Sequence, residues 1–196
     1  MQLKDDIQTR ECRIFADAWQ RWRGDDLVPR RSSIRIEEIS KLLHLVSVIE
    51  VISTDMAKFR LAGTALCEAM GIELTGLNYF DFTTVEERGP RVARTCQLVS
   101  QPCGSHFLFP IMYRSGRVVP TEVVSFPVLP DEPDAPPQLF ALSMALEEMR
   151  LEGPAAQPRQ LPLAEGFQFI DIGAGIPDDA LDLGEREVAK LHRFVS

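Results

Sequence analysis

Three glycines set the geometry of residues 59–82, and the rest of the chain has to be arranged around them. The stretch reads Phe-Arg-Leu-Ala-Gly-Thr-Ala-Leu-Cys-Glu-Ala-Met-Gly-Ile-Glu-Leu-Thr-Gly-Leu-Asn-Tyr-Phe-Asp-Phe. It begins as the end of a strand, turns sharply at Gly63 and runs a short helix from Thr64 through Met70. Gly71 stops that helix, because glycine most readily supplies a left-handed C-terminal residue. Leu74-Thr75-Gly76 makes a second corner, and a compact aromatic segment from Asn78 to Phe82 follows.

Residues 44–52 carry Leu45, Val46, Val48, Ile49, Val51 and Ile52. That density is too high for an amphipathic helix and reads as a largely buried strand. Ser53-Thr54-Asp55 is a turn, and 57–61 is the hairpin partner. Beyond the aromatic segment, Thr83 and Glu86 have capping-box spacing, and Val92, Cys96 and Val99 form one apolar helix face. Gly89-Pro90 is expected to break or restart this helix. Three strands follow at about 104–113, 118–128 and 138–146. Ser115-Gly116 separates the first two, and the Pro-rich loop 130–137, which cannot pair in a sheet, separates the last two. In the last strand Phe140, Leu142, Met144 and Leu146 alternate with Leu139, Ala141, Ser143 and Ala145. Large residues fall on one face, which therefore packs on something bulky. Strand, strand, helices and three strands predict an α+β fold: a five-stranded antiparallel sheet with helices on one face.

Ahead of this unit, Ile7, Ile14, Phe15, Ala18, Trp19 and Trp22 recur at helical spacing. Asp5 and Asp6 are the N-cap candidates and Gly24 the stop. Trp19 and Trp22 share a face that either lies on the core or makes a dimer contact. Ile36, Ile39, Leu42 and Leu43 mark a second short helix. After the strands, residues 153–162 hold three prolines and read as a linker. Residues 166–172 form one more strand or an extended arm, and 185–195 a terminal helix with Val188, Leu191, Phe194 and Val195 on one side. The chain thus divides into an N-terminal helical flank (1–43), a central domain (44–149) and a linker with C-terminal extension and terminal helix (150–196).

Lys and Arg total 21 against 29 Asp and Glu, a net charge of -8. Nucleic-acid affinity rests largely on basic side chains neutralising phosphates, so an acidic chain whose only adjacent basic pair is Arg30-Arg31 is not expected to bind nucleic acid. No apolar run reaches the roughly 20 residues needed to cross a bilayer. The opening Met-Gln-Leu-Lys-Asp-Asp is charged and lacks a signal-peptide core, so a cytoplasmic location without membrane association is expected. Cys12, Cys67, Cys96 and Cys103 form no CxxC pair and have no histidine at zinc-site spacing, so buried thiols are expected and no metal site.

Gly71 and Gly76 are spaced as in a phosphate loop, but Leu77-Asn78 stand where the Lys and Ser/Thr belong. Gly173-Ala174-Gly175 after Phe169-Ile170-Asp171-Ile172 imitates the start of a dinucleotide fold. Pro177 and Asp178 break that pattern, and a loop is the better reading. No nucleophile elbow and no paired catalytic His and Cys motif is present; a non-enzyme is expected.

Residues 46–146 resemble a PAS domain. The likeness rests on the strand pair, then Gly63-Thr64-Ala65-Leu66 into a short helix, then Glu73-Leu74-Thr75-Gly76 followed by Asp81, then the connecting helix and three strands. Trp22-Arg23, Pro29-Arg30 and Phe59-Arg60-Leu61-Ala62-Gly63-Thr64 are similar to a family of small bacterial stand-alone PAS-like proteins without an assigned activity. The resemblance implies a sensing or interaction module in bacterial signalling. Such a module binds a small ligand between sheet and helices, or dimerises through the sheet face and flanking helices. Tyr79, Phe80, Phe82, Phe107, Phe109, Met112 and Phe140 are the expected lining, with Arg60, Glu122 and Ser125 as its polar groups. Trp19, Trp22, Leu191 and Phe194 are the expected interface of a homodimer. Haem-binding PAS domains generally use a histidine of the connecting helix, and 84–101 has none; His106 lies in a strand, where an isolated imidazole argues weakly for haem. The flavin-adduct motif is absent around Cys67. Neither haem nor flavin is therefore expected, and no other cofactor is identified. A separate signalling protein is expected as partner. The alternative is a protein-interaction (dimerisation) module with no ligand.

Overall fold

A computed structural model describes residues 7–112, 118–146 and 165–178. In chain order it contains α1 (Arg10–Arg23), 3₁₀ segments at Arg31–Ser33 and Ile36–Leu45, β1 (Val46–Val51), β2 (Ala57–Leu61) and α2 (Thr64–Met70). A 3₁₀ turn (Tyr79–Phe82), α3 (Val85–Ser100), β3 (Gly104–Met112), β4 (Val118–Val128), β5 (Gln138–Ala145) and β6 (Glu165–Ile170) complete it.

The strands form one sheet in the order β2-β1-β5-β4-β3-β6, and every neighbouring pair is antiparallel. The α+β class stands. The sheet has six strands rather than five, because the segment open to either reading after residue 165 is a strand. It pairs with β3 through Ser105 and Phe169 and through His106 and Gln168.

Alternation along the strands builds two separate cores. Val46, Val48, Val124, Phe126, Val128, Phe140 and Leu142 point to one face and pack with Phe15, Trp19 and Trp22 of α1. Ile49, Val51, Val123, Leu139 and Ala141 point to the other face, under α2, α3 and the aromatic turn. Helices therefore cover both faces, with α1 and the 3₁₀ segment Ile36–Leu45 sharing the core on the side of Val124 and Phe126. This corrects the dimer-contact reading of α1. Trp19 is fully buried within its own chain: its ring stacks on Phe126 at 4.9 Å and its Nε1 donates to the Pro127 carbonyl at 2.9 Å. Trp22 is also buried and meets Phe15 edge-on at 6.3 Å. Neither indole is on the surface to meet a second copy. Leu191 and Phe194 lie outside the described residues.

Helix ends follow local chemistry. Thr9, not Asp5 or Asp6, caps α1; its hydroxyl accepts from the Cys12 N–H, and the two aspartates lie outside the described residues. Thr84 caps α3 one residue later than the Thr83 box places it, accepting from the Glu87 N–H. α3 runs unbroken through Pro90, contrary to the break expected at Gly89-Pro90. Proline removes one ladder hydrogen bond there, and α3 is held by a face that buries Val92, Cys96 and Val99.

Gly63 and Gly76 are needed for different reasons. Gly76 has φ of 90°, a conformation that a side chain resists. Gly63 has an ordinary φ of −61°, but a Cβ there would sit 2.4 Å from the His44 carbonyl oxygen and 2.8 Å from that of Val46. Backbone cannot yield as a side-chain tip does. Gly63→Ala is therefore expected to destabilise the protein by about 1–3 kcal/mol, read from urea unfolding midpoints.

Candidate functional site

A row of small residues crosses the α3 face of the sheet. Ser105 pairs with Ser125, Ser125 with Ala141 and Ala141 with Ser47, so four neighbouring strands contribute a hydroxyl or a methyl at one level. Side chains this short leave a trough where larger ones would close the core. The trough is the floor of a cavity of about 100 Å³. Ser105 and Ser125 share a hydrogen bond of 2.7 Å. Ser47 is buried, and its hydroxyl has no hydrogen-bond partner among the described residues.

The roof is α3. Arg91, Arg94, Thr95 and Leu98 line the cavity and recur at the i, i+3, i+4, i+7 spacing of one helix face. Arg91 is only 6 % exposed, an uncommon position for a guanidinium. Its Nη1 donates to the Tyr79 hydroxyl at 3.0 Å, and its head lies 5.0 Å from the centre of that ring. Arg94 sits 4.5 Å over the ring of Phe167, which stacks on Phe107 at 5.6 Å. Thr95 donates its hydroxyl back to the Arg91 carbonyl, which ties it to the helix. Apolar walls come from Ile49, Phe59, Leu66, Val123 and Leu139.

Of the residues expected to line a pocket, Tyr79, Phe107, Phe109 and Ser125 do so. Phe80 and Phe82 belong to the same core but stand behind the wall: Phe80 is fully buried and Phe82 packs edge-on against Phe59. Met112 ends β3, and its side chain lies outside the described residues. Arg60 is exposed on β2, 3.8 Å from Glu50, away from the cavity. Phe140 and Glu122 are on the opposite face. Register decides this: Phe140 lies beside Val48 and Phe126, both in the α1 core, one residue out of step with the cavity row.

Glu122 instead anchors α1. Its carboxylate is fully buried and accepts from the Gln8 N–H at 2.6 Å and the Thr9 N–H at 2.7 Å, with His106 Nε2 at 2.8 Å. Burial alone would raise its pKa; the hydrogen bonds from Thr9, Gln8 and His106 outweigh that and hold the carboxyl below its ordinary range. The same contact occupies the imidazole considered for haem. Elsewhere, burial pushes the thiol of Cys103 up to about 12, and those of Cys12 and Cys67 up as well. None of these three has the depressed pKa of an activated nucleophile. Among the described residues no cluster of His, Cys, Asp and Glu is arranged to hold a metal ion, and no helix is long and apolar enough to cross a membrane. The Gly173-Ala174-Gly175 segment is a loop, with the Asp171 carboxylate accepting from the N–H groups of Gly173 and Gly175.

Compared with known families, residues 7–141 match the family model described as PAS domain. The chain belongs to the PAS domain family. No curated protein sequence matches it. The matched residues include α1 as well as the strands from β1 into β5. As a PAS domain the chain is a sensing or interaction module.

Ser47, Arg91, Arg94, Thr95, Leu98 and Phe167 escape the motif reading. Two signals for them are present in the sequence. The four α3 residues fall at core-facing spacing although three are polar, and the strands that alternate large and small residues place Ser143, Ala141, Ser125 and Ser105 on the same side.

Proposed function

We propose that this PAS domain is a cytosolic sensor in bacterial signalling that takes a small molecule between α3 and the sheet and passes its occupancy to a protein partner, without catalysis of its own. The observation that carries the reading is the serine and alanine trough. Protein interiors are packed as densely as organic crystals, so four small residues aligned under a helix that presents buried polar groups form a prepared hollow. A mostly apolar wall with a few placed polar groups suits small-molecule binding. The partner is a signalling protein or a second copy of the chain.

The test is occupancy. Native mass spectrometry of freshly purified protein is expected to show a retained small molecule, or NMR screening of small fragments to shift the resonances of Leu98, Val123 and Phe107. Ser143 lines the same cavity, and Ser143→Leu is expected to abolish those shifts while the protein stays folded. Protein that carries nothing, and whose cavity resonances answer to no fragment, would leave the ligand-free interaction module as the better account.

A further inference from the structure

We propose that the guest is a short-chain alcohol, its hydroxyl bonded to Ser47 and its carbon chain lying along the trough against Leu98, Val123 and Leu139. This rests on the cavity being a ligand site, and adds the chemical class of the guest. The class follows from which polar groups of the wall are already bonded, and from size.

Much of the polar wall is occupied by its own contacts. Ser105 and Ser125 bond each other at 2.7 Å, and Thr95 donates to the Arg91 carbonyl at 2.8 Å. Arg91 donates to the Tyr79 hydroxyl and lies against that ring, Arg94 lies over Phe167, and both make further interactions. Ser47 is different. It lines the cavity at the β1 end of the trough, it is buried, and its hydroxyl has no hydrogen-bond partner among the described residues. A buried polar group left unbonded is costly, so a guest that bonds Ser47 relieves a cost that the empty cavity carries.

One hydroxyl is the matching group. A serine hydroxyl both donates and accepts, and an alcohol answers it in either direction. The neighbours of Ser47 on this face, Ile49 and Ala141, are apolar, so further polar atoms on the guest would go unbonded there. With both guanidiniums already engaged, a carboxylate or an ammonium would give up its water for a neutral hydroxyl, a poor exchange for a full charge. A lone water at Ser47 needs two to four polar partners, and those two neighbours supply none from their side chains. Size agrees. An apolar cavity of about 150 Å³ accepts benzene, so one of about 100 Å³ takes a guest of roughly four or five non-hydrogen atoms.

The experiment titrates the full chain by NMR, at constant ionic strength, with three probes of similar size: 1-butanol, propionate and butylammonium. 1-Butanol is expected to shift the resonances of Leu98 and Val123 saturably and to bind at least about tenfold more tightly than either ion. Ser47→Ala then separates recognition from a structural role by sign. It deletes an unbonded hydroxyl, so the urea midpoint of the ligand-free protein is expected to hold or rise. Its binding of 1-butanol is expected to weaken about fivefold, the worth of one neutral hydrogen bond. A lower midpoint means that the hydroxyl is bonded within the protein, and overturns the alcohol assignment. Unchanged 1-butanol binding by Ser47→Ala overturns it too, as does either ion binding as tightly as 1-butanol; both leave the pocket intact. Failure of 1-butanol while other fragments reach the cavity again removes only the alcohol. If no probe and no fragment reaches the cavity, the pocket is overturned as well.

Discussion

Glu122→Ala is expected to cost about 2–5 kcal/mol, because each group left without the carboxylate it bonds costs about 1–3 kcal/mol. Globular domains hold only about 5–15 kcal/mol in total, so the variant sits close to unfolding in a urea titration. The size follows from what is left behind. Two backbone N–H groups, of Gln8 and Thr9, lose the carboxylate they donate to, and the buried His106 ring loses its neighbour at 2.8 Å. Each is then left without the acceptor or neighbour it has in the folded protein. Glu122→Gln keeps the shape and one acceptor, and is expected to lose less.

The same residue sets a pH dependence whose sign is fixed. Its folded carboxyl titrates below the ordinary value of 4.5, so the folded state favours the charged form. The stabilisation is complete above pH 4.5 and is lost as pH falls through the lower folded value. The gap in unfolding free energy between the unaltered protein and Glu122→Gln should therefore narrow as pH falls below 4.5. Other carboxylates, such as Glu73 and Asp131, are also held low. They act equally in both proteins, so the difference isolates Glu122. A constant gap between the two curves would remove the carboxylate from the account of how α1 is held.

Trp19→Ala carries a loss of similar size, about 3–5 kcal/mol for a large buried aromatic. The indole is fully buried, stacked on Phe126, and satisfied by the Pro127 carbonyl. Trp19→Phe keeps the stacking and is expected to recover most of the loss, short of about 1 kcal/mol for the missing hydrogen bond. Size-exclusion chromatography separates this from a role in self-association: a folded Trp19→Phe protein should elute unchanged. A shift in elution without a shift in stability would return the indole to the surface.

The order of elements was legible because punctuation and period are local. Gly63, Gly71 and Gly76 bound α2 and the aromatic turn where a single residue decides the backbone, and β1 to β5 follow the density and alternation of apolar residues. The pocket was harder to read because a lining residue is defined by its neighbours across strands. Phe140 and Phe107 are both strand aromatics, and nothing in either local sequence says that they face opposite ways. That depends on the pairings of Ser125 with Ala141 and of Ser105 with Ser125. Glu122 was singled out as a polar residue among apolar ones, which is correct chemistry on the wrong side of the sheet. Arg91 and Arg94 were passed over because arginines in a helix usually reach solvent, and the volume they line is created by residues on all six strands, α2 and the aromatic turn.

The alternation along β4 has one more consequence. Glu122 holds the first helix, while Val123 and Ser125, one and three positions on, touch the hollow. Consecutive residues are joined by a planar, stiff link and lie only about 3.3 Å apart. Under the proposed sensor reading, a guest in the hollow would press on the very segment that grips the helix on the opposite face, one peptide away.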